Sequence, residues 1–230
     1  MPFLMPVFAV LGLFVGSFLN VCIDRLPREQ SIIRPPSHCT ACNRQLAIRD
    51  LVPLFSYLWL RGRCRYCQAA IPLRIPVVEV ITGLLFALLC WRFGIGLELF
   101  ISLIYGSLLI IIFFIDLENH LILNKVTYPA MVLALLFSFF WPGIGMLSSW
   151  QLGTIKLGTL FSALAGGAFG LAAMALPYVI YRKGMGFGDV KLGTLVGLMT
   201  GFPLAILVVL LSWILGGFIA AGLLALKLKG

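Results

Sequence analysis

Five stretches of the chain carry no Asp, Glu, Lys or Arg: residues 1–23, 99–115, 126–155, 157–181 and 192–226. About 20 apolar residues cross a hydrocarbon core, and a backbone in lipid must satisfy its own hydrogen bonds, so such runs predict membrane helices. Another apolar stretch, from Pro76 to Trp91, holds Glu79 as its one acid and opens on a proline suited to a first helical turn. The expected spans are 3–23, 76–91, 98–115, a fourth ending near Trp141 and Pro142, 157–181, and two from 192–226 divided at Gly201 and Pro203. The first run has no basic leader and no small-residue cleavage pattern, and is expected to stay as a helix.

The remaining polar residues concentrate in one place. Nine of the 17 Lys and Arg lie between Arg25 and Arg74, and most others flank apolar runs. That is the positive-inside pattern of a membrane protein, so the net charge of +9 does not indicate a nucleic-acid surface. With residues 24–75 in the cytosol, Arg92 and Lys156 fall outside, and Lys125, Arg182, Lys183, Lys191, Lys227 and Lys229 fall inside. The expectation is an all-α polytopic membrane bundle of about seven spans, amino terminus out and carboxyl terminus in. Its parts are a first helix (1–23), a cytosolic insertion (24–75) and a transmembrane bundle (76–230). At 61% hydrophobic and 11% charged residues, the composition excludes an ordinary soluble domain. No internal repeat is evident. The small residues of "ALAGGAFGLAAMALP" in the fifth span would let neighbouring helices approach closely.

The insertion contains "CTAC" at 39–42 and "CRYC" at 64–67. Two facing C-x-x-C turns supply four thiolates in the tetrahedral set that suits structural zinc, leaving no open position for water. A redox dithiol and unpaired cysteines are the alternatives, but disulfides rarely persist in the cytosol. Metal would also supply folding energy to a segment with few large apolar side chains. Cys22 and Cys90, in or near spans, read as packing residues, and His38 and His120 are expected to have no catalytic role.

Among the eight acids, Asp24, Glu29 and Asp50 read as solvated partners of nearby arginines, and Glu98 and Glu118 as interfacial charges. Asp116 directly follows an apolar run, and Asp189 lies in "GMGFGDVK" ahead of another. The threading puts both at the cytosolic boundary at similar depth. Two carboxylates sharing a partly desolvated site hold one proton between them, so one activates water and the other protonates a peptide carbonyl. Such a pair equally suits a proton pathway in a transporter, and each acid alone suits a helix cap; an assembly scaffold is a third reading. Gly186 and Gly188 remove side chains beside Asp189, which favours close approach of an extended substrate.

"GMGFGDVKL" and "IDLENHLILN" resemble the two catalytic motifs of the type IV prepilin peptidases, and "GLFVGSFLNVCIDRLPR" and "RCRYCQAAIPLRIPVVEVITGLLF" resemble their amino-terminal signature and zinc-loop exit. The resemblance follows the family order along nearly the whole chain. It implies an inner-membrane enzyme that removes the basic leader of prepilins or pseudopilins after a glycine on the cytoplasmic side. Asp116 and Asp189 would be catalytic, and Cys39, Cys42, Cys64 and Cys67 would hold the metal. It also implies methylation of the new terminal amine by S-adenosylmethionine. No strand followed by G-x-G-x-x-G is present, so the methyl donor is expected in a membrane-side pocket between the insertion and the first two spans. Glu79, Asn20 and Arg25 are its candidate residues, with a helix–helix hydrogen bond or an insertion arginine as the alternative partner for Glu79. Asn124 stands where the family often has a second acid. Prepilins and anionic lipids are the expected partners, not nucleic acid.

Overall fold

The computed structural model describes residues 3–140, 157–180 and 186–227, and among these the regular structure is helical apart from two isolated β-bridges. The helices are α1 (Leu4–Arg25), the short α2 (Phe55–Trp59), α3 (Arg74–Phe93), α4 (Leu97–Asn119), α5 (Asn124–Ser138), α6 (Leu157–Ile180), α7 (Phe187–Thr200) and α8 (Leu204–Lys227). Each predicted span has its helix, and the division at Gly201 and Pro203 is present. Gly201 has φ +70, in the left-handed region that glycine enters at low cost. The expected end of span four at Trp141 and Pro142, the outer loop to Lys156, the Arg182–Lys183 pair, Gly184 and Lys229 lie outside the described residues.

Helix ends differ from the ends of the apolar runs. Span three was expected to stop at Ile115, yet α4 continues one turn further to Asn119, where His120 takes a left-handed cap conformation and donates its N–H to the Asp116 carbonyl. Charge marks where the hydrocarbon ends, whereas the helix ends where its carbonyls find another donor. Asp116 is therefore in a helical turn and not in the link.

Helices α1, α3, α4 and the Thr159–Ile180 part of α6 are each long and apolar enough to cross a membrane. Their apolar windows are only 22–50% buried within the chain, and Phe14, Phe18, Leu84, Leu88, Phe113 and Phe161 face outward. Apolar surface on that scale needs a hydrocarbon surrounding, and the chain is a membrane protein.

Contacts divide the chain into two compact units, Met1–Leu123 and Asn124–Gly230. In the first, α1 lies along α3 with α4 against both. The approach is set by glycine: a Cβ at Gly12 would stand 2.7 Å from the Gly83 Cα, and one at Gly16 would stand 2.7 Å from the Glu79 Cα. Ile23, Val78, Ile101, Ile115 and Cys90 fill the interior around that contact, and Cys22 is also buried, as expected of packing residues.

In the second unit α6 and α7 pack backbone to backbone, with α5 on α7 and α8 on both. Gly166 and Gly170 on α6 face Gly193 and Gly197 on α7, and a Cβ at Gly170 would collide with the Gly193 carbonyl. With no hydrophobic force between helices in lipid, such close backbone approach supplies the dispersion energy that holds them. Gly170→Val is expected to destabilise the protein by about 1–3 kcal/mol through overpacking. Gly217→Ala, where a Cβ meets nothing within 4 Å among the described residues, is the control expected to leave thermal unfolding in detergent unchanged.

Candidate functional site

The 24–75 insertion is built on two turns of the same design. In the first, the Cys39 N–H donates to the Arg44 carbonyl, Asn43 N–H to Cys39 and Leu46 N–H to Ser37, at 2.8–3.0 Å. In the second, Cys64 N–H donates to Ala69, Gln68 N–H to Cys64 and Ile71 N–H to Gly62, again at 2.8–3.0 Å. Every partner is numbered 25 higher, and Asn43 and Gln68 both adopt left-handed φ, 55° and 58°. This local repeat was invisible in the residue types, because backbone donors define it and only the cysteines recur. The Arg44 guanidinium lies 4.2 Å from the Tyr66 ring centroid, linking the two turns.

Cys39, Cys42, Cys64 and Cys67 are thereby brought together, with all four sulfurs within 4.8 Å of one another. Zinc bonded to sulfur at about 2.3 Å requires tetrahedral sulfurs about 3.8 Å apart. The Cys39 and Cys67 Sγ atoms are 3.8 Å apart, so the cluster fits a four-thiolate metal site. The backbone N–H groups of Cys42 and Ala41 hold the Cys39 thiol down at about 7. At Cys67 the Ala69 N–H pulls the same way, but desolvation and the neighbouring thiols push it up to about 11. A bound cation removes that competition for protons.

Asp50 is not the solvated partner expected. Its side chain is 3% exposed, pairs with Arg65 at 2.7 Å and accepts the Ala47 N–H, which ties the turn at Ile48–Leu51 to the second cysteine pair. Asp24 pairs with Arg74 at 2.7 Å, and the same guanidinium reaches Glu118 at 2.9 Å. Arg74, which the apolar pattern marked only as a flanking charge, thus ties together the ends of α1, α3 and α4. It also places the insertion at the end of the first unit that carries Asp116.

A cavity of about 590 Å³ lies between the insertion, α1 and α3, within the range of small-molecule sites. All three residues suggested for a methyl donor, Asn20, Arg25 and Glu79, line it, together with Arg74, Tyr57 and Ser56. Glu79 is 4% exposed and accepts the Leu54 N–H at 2.7 Å, so it anchors the insertion backbone as well as hydrogen-bonding Ser17 of α1. Neither partner is an arginine. Asn20 donates to the Gly16 and Ile75 carbonyls at 3.2 and 3.0 Å. The Arg25 guanidinium donates to the Ser31 carbonyl at 3.0 Å. His38 also lines the cavity, and its Nδ1–H donates to the Pro36 carbonyl at 3.2 Å.

Asp116 belongs to the first unit and Asp189 to the second, each part-exposed at a helix end. Asp116 occupies the last turn of α4. Asp189 is the third residue of α7, where its carboxylate accepts the Gly186 N–H at 3.2 Å and its own N–H donates to the Gly186 carbonyl at 3.1 Å. Among the described residues a Cβ at Gly186 would meet nothing closer than Asp189 Oδ2 at 3.7 Å, and its φ of −79° suits any residue. Lys191, two residues after Asp189, donates to Asn124 Oδ1 at 2.6 Å and lies 4.8 Å from the Phe187 ring centroid. A neutral amide thus receives this lysine.

The profile described as Bacterial Peptidase A24 N-terminal domain matches residues 10–93, and that described as Type IV leader peptidase family matches residues 103–221. Three proteins named prepilin leader peptidase/N-methyltransferase are similar to this chain. The one from Myxococcus xanthus is 39% identical over 201 residues, which are 84% of this chain and 56% of that protein. The one from Bacillus subtilis is 33% identical over 95% of this chain and 82% of its own length, and the one from Neisseria gonorrhoeae 31% identical over 94% and 80%. No solved structure matches.

Purified protein is expected to carry about one zinc per chain, measured by elemental analysis, and Cys39→Ser or Cys64→Ser to lose it. Lowering the pH should release the metal as the thiolates take up protons, and a metal content independent of these cysteines would contradict the site.

Proposed function

Because the chain belongs to the type IV leader peptidase family, we propose that it is an aspartyl endopeptidase of the cytoplasmic membrane that removes the basic leader of prepilins or pseudopilins after a glycine, and N-methylates the new terminus. The reading is carried above all by the two acids at helix ends: Asp116 in the last turn of an apolar 23-residue helix, and Asp189 in the first turn of α7 beside Gly186, whose missing Cβ would meet no described residue closer than 3.7 Å. In it, Asp116 and Asp189 share one proton. The first turn of a helix favours negative charge, which makes Asp189 the base. Asp189 takes a proton from water as the oxygen attacks the glycine carbonyl carbon, and Asp116 gives its proton to the carbonyl oxygen. Collapse of the tetrahedral adduct breaks the C–N bond, and the departing amine leaves with a proton returned by the pair. Gly186 and Gly188 leave room for the leader to lie extended across Asp189.

The four cysteines hold structural zinc in this reading, with no open coordination position and hence no part in the hydrolysis. The cavity lined by Asn20, Arg25 and Glu79 takes S-adenosylmethionine, which supplies an electrophilic methyl group when bound. The residues present fit such a ligand, since the cavity joins apolar walls to buried polar groups of both charge signs. The insertion faces the cytosol, its arginines lie against anionic headgroups, and the exposed Phe55–Trp59 stack reaches the interface. The substrate's apolar helix reaches the acids from the lipid, since a basic leader gains nothing from the basic insertion.

Cleavage of a prepilin by purified protein, followed on gels, is expected to fall at least a hundredfold in Asp116→Asn and in Asp189→Asn, with unfolding temperature and zinc content unchanged. Cleavage surviving either substitution would contradict the pair. Gly186→Ala should leave folding intact, as the space for a methyl group requires, while slowing cleavage several-fold; equal activity would mean that the opening does not serve the substrate.

A further inference from the structure

The wall of the cavity beneath the cysteine cluster is left with unmatched charge and unmatched hydrogen-bonding groups. Arg25, only 9% exposed, has a backbone carbonyl as its partner, and Glu79, 4% exposed, has an N–H and a hydroxyl. Neither takes part in an ion pair, whereas Arg65 and Arg74, on the same wall, are matched to Asp50, Asp24 and Glu118. Asn20, 5% exposed, spends its amide N–H groups on two carbonyls and leaves Oδ1 buried without a donor. The Arg74 Nε is also buried without an acceptor. A buried charge or acceptor left alone is costly, and a ligand that completes it recovers that cost.

The unmatched groups have an order along the helices. Asn20 bonds to the Gly16 and Ile75 carbonyls, Gly16 abuts the Glu79 Cα, and Glu79 lies one turn beyond Ile75. Asn20 and Glu79 therefore share the crossing of α1 and α3 and form an acceptor pole. Arg25, five residues further along α1, is displaced by about 7.5 Å of helix rise toward the insertion and supplies the cationic pole, while Arg74, its charge already matched, offers the same cavity an unpartnered Nε donor. A small molecule matching both poles carries an ammonium and a carboxylate.

We infer that this cavity recognises the amino-acid end of its nucleoside ligand as a zwitterion, with Arg25 receiving the α-carboxylate and Glu79 with Asn20 Oδ1 receiving the α-ammonium. The inference rests on the reading that the cavity holds the methyl donor, and it adds which groups confer selectivity. Arg25 and Glu79 would then be specificity-determining residues that touch the ligand and leave peptide hydrolysis alone. The adenosine part would meet the Tyr57 and Leu60 side of the wall.

Calorimetric titration of the full-length protein in detergent tests this, using S-adenosylhomocysteine and 5′-methylthioadenosine, which keeps the nucleoside and thioether but lacks the amino-acid end. The native chain should bind the former roughly 10–100-fold more tightly. Arg25→Gln and Glu79→Gln should each remove most of that advantage and leave methylthioadenosine affinity unchanged, and Arg25→Lys should restore part of it. Retained zinc and an unchanged unfolding temperature identify variants that have folded. Equal weakening of both ligands, or no weakening of either, would overturn the assignment of the poles. Ser56→Trp, which fills the cavity from α2, distinguishes occupancy of the cavity from the orientation of the ligand within it. S-adenosylhomocysteine binding unaffected by Ser56→Trp, or absent from the native chain, would overturn the cavity reading itself.

Discussion

The contact on which the first half of the molecule depends is the glycine-faced approach of α1 to α3. With no side chain at Gly12 and Gly16, the backbone of α1 reaches the Gly83 and Glu79 Cα positions, closer than any larger residue permits. That closeness lets Asn20 bond across to the Ile75 carbonyl and sets Glu79 where it captures the Leu54 N–H of the insertion. One buried carboxylate thus joins a membrane helix to the middle of the polar segment. The cavity exists because the insertion is held over this crossing and not beside it. In the second half the facing glycines of α6 and α7 do the same structural work, and they fix the helix whose first turn carries Asp189.

The polar insertion illustrates how little apolar burial a membrane enzyme needs outside its lipid-covered part. Ile48, Phe55, Leu58 and Trp59 are largely exposed, and the regular structure between Arg25 and Arg74 amounts to a 3₁₀ turn and α2. Order comes instead from the two matched cysteine turns, the Arg65–Asp50 pair and the Arg44–Tyr66 stack. A fold of that kind is marginal without a cross-link, and a metal held by the four cysteines would supply one.

Apolar runs were enough to locate the helices outside the insertion, because a backbone in lipid has few alternatives, and paired C-x-x-C spacing was enough to locate the sulfur cluster; the short α2 went unpredicted. Helix ends were less legible. The step from Ile115 to Asp116 is a boundary of solvent and not of hydrogen bonding, so α4 runs on to Asn119. Asn20, Arg25 and Glu79 stood out as polar residues in or beside apolar runs, and they do share one cavity. Arg74 did not stand out, since a basic residue beside a span is ordinary; its bridge to Asp24 and Glu118 depends on residues 50 and 44 positions away. Asp50 was misread for the converse reason: nearby arginines suggested solvation, whereas the folded turn buries it.

As proposed, two chemistries occupy separable parts of one chain, hydrolysis at the helix-end acids and methyl transfer in the cavity under the insertion. The most direct test is the intact mass of a prepilin incubated with the cavity-filled Ser56→Trp protein and S-adenosylmethionine. The account predicts a product that has lost its leader and gained no methyl group. A methylated product, or an uncut prepilin from a correctly folded variant, would contradict it.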